Sequence, residues 1–177
     1  ILVNGENNCK NEFDIIVLSC HADQALSLIN APTKNEHDIL SAFKYTKNNV
    51  ILHTDTSIMP KNKKTWASWN FISSNDKSNI THESLHYYMN KLQKLDSNEN
   101  FIVSINPIKQ PQREKIIYTT EYTHPILEKE AINIQKELTT LNKQSRILFS
   151  GAYFGFGFHE DGYLSGLKTS QEILKRF

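Results

Sequence analysis

Arg146 to Leu167 reads RILFSGAYFGFGFHEDGYLSGL. Ile147, Leu148 and Phe149 form a short apolar run that predicts a buried strand. Gly151, Gly155 and Gly157 then interrupt regular structure before a helical pattern resumes near Glu160. The order is strand, glycine loop, helix start. A backbone without side chains approaches a flat or phosphorylated ligand closely, and the unpaired amides of a helix start suit anionic groups. Spacing alone leaves two readings open. Gly155, Gly157 and Gly162 give G-x-G-x-x-x-x-G, which departs from the dinucleotide fingerprint G-x-G-x-x-G. A glycine-rich corner that lets Phe154, Phe156 and Phe158 pack accounts for the segment equally well.

Working outward, the 177 residues, 38% hydrophobic and 22% charged, hold enough apolar material for one core and show no sign of disorder. A formal net charge of +1 gives no electrostatic argument for nucleic acid. The basic cluster Lys61, Lys63 and Lys64 reads as a solvated loop. No apolar run approaches the ~20 residues of a bilayer span, and the N-terminus lacks a basic segment followed by a cleavable apolar one. Cys9 and Cys20 read as free thiols, so the expected setting is the cytoplasm, with peripheral membrane association of the complete protein left open.

Strands are expected near 1–3, 13–20, 48–54, 66–72, 81–89, 101–105, 115–122 and 146–150, and helices near 22–30, 34–44, 125–142 and 160–176. His124-Pro125 reads as a helix start, with Pro in the first turn. Successive strands without intervening helices point to an antiparallel sheet, so the class is α/β overall, or α+β within the chain. On a strand over 66–72, Trp66 and Trp69 fall on opposite faces, so at most one of them faces any pocket formed with Tyr87 and Tyr88. His53 reads as a packed or hydrogen-bonded residue more readily than as an acid/base group. His82 and His86 have helical spacing in a segment with strand character, and no third ligand has defined spacing, so no metal is expected. No G-x-S-x-G elbow supports a hydrolase.

The segments FDIIVLSCHADQAL, VILHTDTSIMP, WASWNF, YYMNKLQKL, FIVSINP, YTHPILEKEA and GAYFGFGFHEDGYLSGLKTSQEI occur in this order. In these strings the chain resembles a bacterial branch of the flavin-containing amine oxidase superfamily, described as predicted NAD/FAD-binding proteins. The closing segment is similar to that superfamily's last FAD-binding motif. The resemblance implies an amine oxidase-like fold lacking its N-terminal Rossmann part. Residues 1–21 would be returning strands of the FAD-binding domain, 22–140 a substrate-domain portion, and 141–177 the C-terminal FAD-binding strand, loop and helix. The opening Ile1-Leu2-Val3, already inside an expected hairpin, fits a chain whose N-terminal half lies elsewhere, either cut away or on a separate chain.

The implied cofactor is FAD, held by Gly151, Ala152, Gly157, Phe158, His159, Glu160, Asp161 and Gly162. Amides near His159 to Asp161 would face the flavin ring, and a helix start aimed there stabilises the reduced form. Asp161 is read equally well as an ordinary N-terminal capping acid. Two departures stand out. Ala152 follows Gly151 where many members of the superfamily carry an acid, and VILHTDTS offers His53 and Asp55 but no Lys, which puts amine oxidation in doubt. The implied activity is hydride removal from an amine or a lipophilic organic substrate such as an acyl chain or polyene. The expected partners are that substrate and the Rossmann half, and no catalytic residue is assigned. The alternatives are a non-catalytic substrate-domain-like binding module and one half of a split flavoprotein.

Overall fold

The apolar run before the glycines forms strand β9 (Ile147–Phe149), which pairs in parallel with β3 (Ile16–Leu18), so early and late segments of the chain meet. The computed structural model describes residues 1–5, 10–75 and 80–176. It divides into two compact units, one of residues 1–46 and 125–177 and the other of residues 47–124.

In the first unit, β1 (Leu2–Asn4) and β2 (Lys10–Glu12) form an antiparallel hairpin beside the parallel β3–β9 pair. These are two separate two-stranded sheets, one antiparallel and one parallel. Helix α1 (Ala22–Leu28) buries Ala22 and Ala25, three residues apart on one face, which lets neighbours approach closely. Helix α2 (Lys34–Leu40) opens with a reciprocal capping box: Glu36 N donates to Thr33 Oγ1 at 3.2 Å, and Thr33 N donates to Glu36 Oε2 at 2.8 Å. The core gathers Ala22, Ala25, Ile39, Leu40, Phe43, Ala131, Leu138, Leu141, Phe149 and Tyr153. Residues 22–46 and 125–140, expected with the substrate domain, thus share a unit with β3 and β9.

The helix expected over 125–142 is broken. Residues 124 and 125 belong to β8 (Ile116–Ile126), in keeping with the extended bias of a residue that precedes proline. Helix α4 (Lys129–Ile134) starts three residues later, a 3₁₀ turn over Gln135–Glu137 follows, and α5 (Leu138–Gln144) completes the segment. Likewise α2 stops at Leu40, because β4 (Lys44–His53) begins four residues on.

The second unit holds a five-stranded antiparallel sheet in the order β5-β6-β7-β4-β8, with β5 (Trp69–Asn75), β6 (Thr81–Tyr88) and β7 (Ile102–Ile105). A single turn of helix, α3 (Met89–Leu92), leaves β6. The fold class is α+β. The strand expected from Trp66 starts at Trp69, since Trp66 closes a 3₁₀ turn over Lys63–Thr65 and donates its indole N–H to Pro60 O at 2.8 Å.

Among the described residues, β9 has a strand neighbour on one edge only. On the other, the buried Asn142 of α5 donates Nδ2 to Phe149 O at 2.7 Å and accepts from Phe149 N at 2.8 Å on Oδ1. Asn142→Ala strands the N–H of the fully buried Phe149 and leaves its carbonyl to the Thr169 hydroxyl alone, and an unpaired buried group costs about 1–3 kcal/mol. The expected outcome in denaturant titration is a loss of roughly 1–3 kcal/mol from the first unit, with the Phe149 amide losing its hydrogen-exchange protection.

Candidate functional site

Helix α6 (His159–Leu174) is the longest helix among the described residues, and its start is assembled by the glycine loop. Gly151 ends β9 with φ +155, and a Cβ there would lie 2.6 Å from the Tyr153 ring. Its amide donates to Ser165 Oγ at 2.9 Å, fastening the strand end to α6. Ala152 begins a 3₁₀ turn over Ala152–Phe154, and its carbonyl accepts from Gly155 N and Gly157 N, each at 3.1 Å. Gly157 takes φ +92 in open space, its missing Cβ meeting only Pro125 Cγ at 3.8 Å. Glycine is required there by backbone conformation rather than by crowding. Gly162, on the first turn of α6, faces the Ala152 amide, 3.8 Å from where a Cβ would sit.

The structure thus brings all eight anticipated residues into one loop and helix start. Phe158, His159 and Glu160 are exposed, and the first-turn amides of α6 have no intrahelical acceptors. Asp161 turns back on the loop: its Oδ2 accepts from Phe156 N at 3.0 Å and Phe158 N at 2.9 Å. This is the capping role that its position allowed. Gly155 makes room for it, since a Cβ on Gly155 would stand 2.2 Å from Asp161 Oδ1.

Three supporting residues escaped the sequence reading. Ser165 holds Gly151, Asn142 holds Phe149 and reaches Thr169 Oγ1 at 3.1 Å, and Gln135 donates Nε2 to Gly155 O at 2.6 Å and Tyr153 O at 3.2 Å. None belongs to a motif. The one available signal was their polarity within otherwise apolar helical patterns.

In the second unit the strand register sorts side chains onto two faces. Trp69, Phe71, Leu85, Tyr87, Val103 and Ile105 share one face with Val50 and Leu52. Asn70, Ser84, His86, Ser104 and His53 share the other with Ile51 and Ile102. The polar face is the buried one, with Asn70, Ser84, His86, Ser104 and His53 all at 7% exposure or less, whereas Trp69 is 57% and Phe71 63% exposed. Trp69 and Tyr87 make an edge-to-face pair on the apolar face, and Trp66 and Tyr88 make another elsewhere, each at 5.2 Å between ring centroids. His82 and His86 lie on one strand face with only His86 buried, a span of ~13 Å at ~3.3 Å per residue. Among the described residues no cluster of three His, Cys, Asp or Glu side chains is placed to hold a metal ion. Cys9 lies outside the described residues, and Cys20 is a free thiol that burial pushes up.

His53 is packed and fully hydrogen-bonded. Asp55 N donates to its Nδ1 at 3.1 Å, so the proton sits on Nε2, which is 2.7 Å from Ser104 Oγ. The Ser104 hydroxyl then donates to His86 Nδ1 at 2.7 Å, and His86 Nε2 to Ser84 Oγ at 2.9 Å. Every bond runs in one direction, and both imidazoles are neutral. Burial lowers both, holding His53 at about 4 despite the nearby Asp55 carboxylate. Burial pushes Asp55 up, but amides of Gln112 and Ser57 and the Lys115 ammonium outweigh it and hold the carboxyl at about 2.

No protein-family model matches the chain, and no curated protein matches it. Among solved structures, a CLA-producing fatty acid isomerase from P. acnes has a similar fold, with a TM-score of 0.56 at 13% identity. The match covers 99% of this chain and 46% of that one, so the chain spans about half the length of that protein. The likeness extends across both units and concerns the fold.

Two outcomes follow. Gly155→Ala displaces the Asp161 carboxylate and Asp161→Ala removes it, so each costs about 1–3 kcal/mol, and the double variant, measured by denaturant melts, loses less than the sum. His53 titrates at about 4 when folded against ~6.5 unfolded, so the unfolded state binds more protons between those values. Stability of the second unit is therefore full above pH ~6.5 and declines as pH falls towards 4, by about 2 kcal/mol at pH 5. His86 acts in the same direction, and Asp55 adds a further loss below ~3.8. Denaturant midpoints from pH 7.5 to 5 check this, and His53→Gln should flatten the slope.

Proposed function

We propose that this chain is the C-terminal portion of an FAD-dependent oxidoreductase acting on a lipophilic organic substrate. The observation that carries the reading is the unit of β9, Gly151, the positive-φ Gly157 and the exposed first turn of a sixteen-residue helix. These residues fit a flat cofactor. Gly157 carries the positive φ of the loop, the first-turn amides of His159, Glu160 and Asp161 have no intrahelical acceptors, and Gly162 keeps that turn free of a side chain. Gly151, Ala152, Gly157, Phe158, His159, Glu160, Asp161 and Gly162 would hold the flavin-ring side of FAD. FAD, when bound, supplies hydride acceptance. The loop's part is positional: Ser165, Gln135 and Asp161 fix its path, so the first-turn donors are in place before the ligand arrives.

A lipophilic substrate is favoured over an amine by the second unit itself. Its sheet turns Trp69 and Phe71 outward and buries Asn70, Ser84, His86, Ser104 and His53 on its other face. The structural neighbour is named for a fatty acid substrate. His53, which ends β4, and Asp55, two residues beyond it, stand where many amine oxidases carry a Lys, and both are fully buried, the Asp55 amide donating to His53 Nδ1.

One observation favours the second reading, a non-catalytic binding module: the amides of Gly151, Phe156 and Phe158 are already satisfied within the chain. The two part on one measurement. Protein purified from its complete reading frame should show a flavin absorbance spectrum and release FAD in stoichiometric amount on denaturation. Gly157→Val should lower that occupancy several-fold through the positive φ, while Trp69→Ala leaves flavin bound and weakens binding of an acyl-chain ligand. A colourless, folded protein that takes up no added FAD removes the oxidoreductase reading and leaves the module.

A further inference from the structure

Trp66 joins two basic segments of the second unit into one surface. Lys63 Nζ lies 5.8 Å over the Trp66 ring, and Lys91 of α3 donates to Trp66 O at 3.2 Å. Lys64 follows Lys63 in the 3₁₀ turn, Lys61 precedes that turn by two residues, and Lys94 follows α3 with φ +53. All five lysines are exposed, and none forms an ion pair among the described residues. Leu92 and Leu95, 42% and 38% exposed, sit among Lys91 and Lys94. The α3 end is held firmly. Asn90 Nδ2 donates to Glu99 O at 2.6 Å, Asn90 Oδ1 accepts from Phe101 N at 2.8 Å, and Trp66 packs edge-on to Tyr88.

We propose that this patch docks the second unit on an anionic lipid bilayer. Sequence alone shows three lysines in a loop; the fold sets Lys91 of α3 on the same Trp66 that Lys63 covers, bringing the segment of Lys91, Leu92, Lys94 and Leu95 beside that loop. Lysines without carboxylate partners keep their charge for an external anion, and clusters of four to eight basic residues are the composition that anionic headgroups attract. The leucines distinguish a bilayer from a soluble polyanion, because their exposed side chains gain only where there is an apolar phase to enter. Asp96 and Glu99, further along the chain, temper the field without pairing any of the five. The proposal is independent of the flavin reading, although a surface that meets lipid suits a lipophilic substrate.

The test is vesicle flotation of the complete protein with phosphatidylcholine alone and with phosphatidylserine added. Binding is expected with phosphatidylserine only, weakening as ionic strength rises. Replacing Lys61, Lys63 and Lys64 together with Gln should reduce the partition coefficient by about 100-fold, at about fivefold per basic residue. Leu92→Asp should weaken binding with the lysines intact. Thermal melts and bound flavin, read on the same samples, show that each variant is folded and that the flavin site is unaffected. Equal binding to both vesicle types, no binding, an unaffected triple variant, or an unaffected Leu92→Asp would each overturn the proposal. Heparin or RNA binding of equal strength that also disappears in the triple variant would mark a generic polyanion surface and overturn it too.

Discussion

The arrangement at Phe149 is the constraint on which the first unit depends. A strand buried on both faces must satisfy its backbone on both edges, and a parallel pair satisfies one. The Asn142 side-chain amide stands where a third strand would, one donor and one acceptor set against the N–H and C=O of a single residue. Thr169 Oγ1 donates to the same carbonyl at 3.0 Å, which brings α6 to β9. Arg176 closes the arrangement from the far end of the chain, bonding the carbonyls of Ser145, at 2.6 Å, and Asn142. The glycine loop leaves β9 only two residues after Phe149, so its position follows from how that edge is terminated.

The second unit solves a different problem. A sheet that buries Asn70, Ser84, His86, Ser104 and His53 must desolvate them, and each unpaired group would cost on the order of 1–3 kcal/mol. The one-way run of hydrogen bonds from the Asp55 amide to Ser84 removes that cost while both histidines stay neutral. Such a network rigidifies when complete and fails as a whole when one member takes a second proton.

Much of this architecture was legible because its signals are local. Period-two patterning marked 81–89 and 101–105 within a residue or two of β6 and β7, and the glycines marked the loop before α6. The failures also have local causes. The helix expected from Pro125 gave way to an extended β8, and the remainder of the helix expected over 125–142 is interrupted by a 3₁₀ turn at Gln135–Glu137, flanked by Asn133 and the Thr139-Thr140 pair, whose helix propensity is low. The inversion of the sheet's faces was not legible. His53 and Ser104 read as ordinary polar positions until pairing set them against each other across β4 and β7, and pairing partners are not encoded in the period of either strand.

The loop's own chemistry limits what α6 can recognise. Asp161 places a carboxylate on the amides of Phe156 and Phe158, two exposed positions of the loop, and Glu160 adds a second acid in the first turn. Helix-start dipoles favour anions, but a carboxylate already in place offsets that field and repels a second negative charge. A phosphate is therefore poorly served here. An uncharged ring edge that accepts hydrogen bonds loses little to the carboxylate and still meets the outward amides of His159, Glu160 and Asp161. The geometry of this start thus discriminates by charge, favouring an uncharged hydrogen-bond acceptor over an anion.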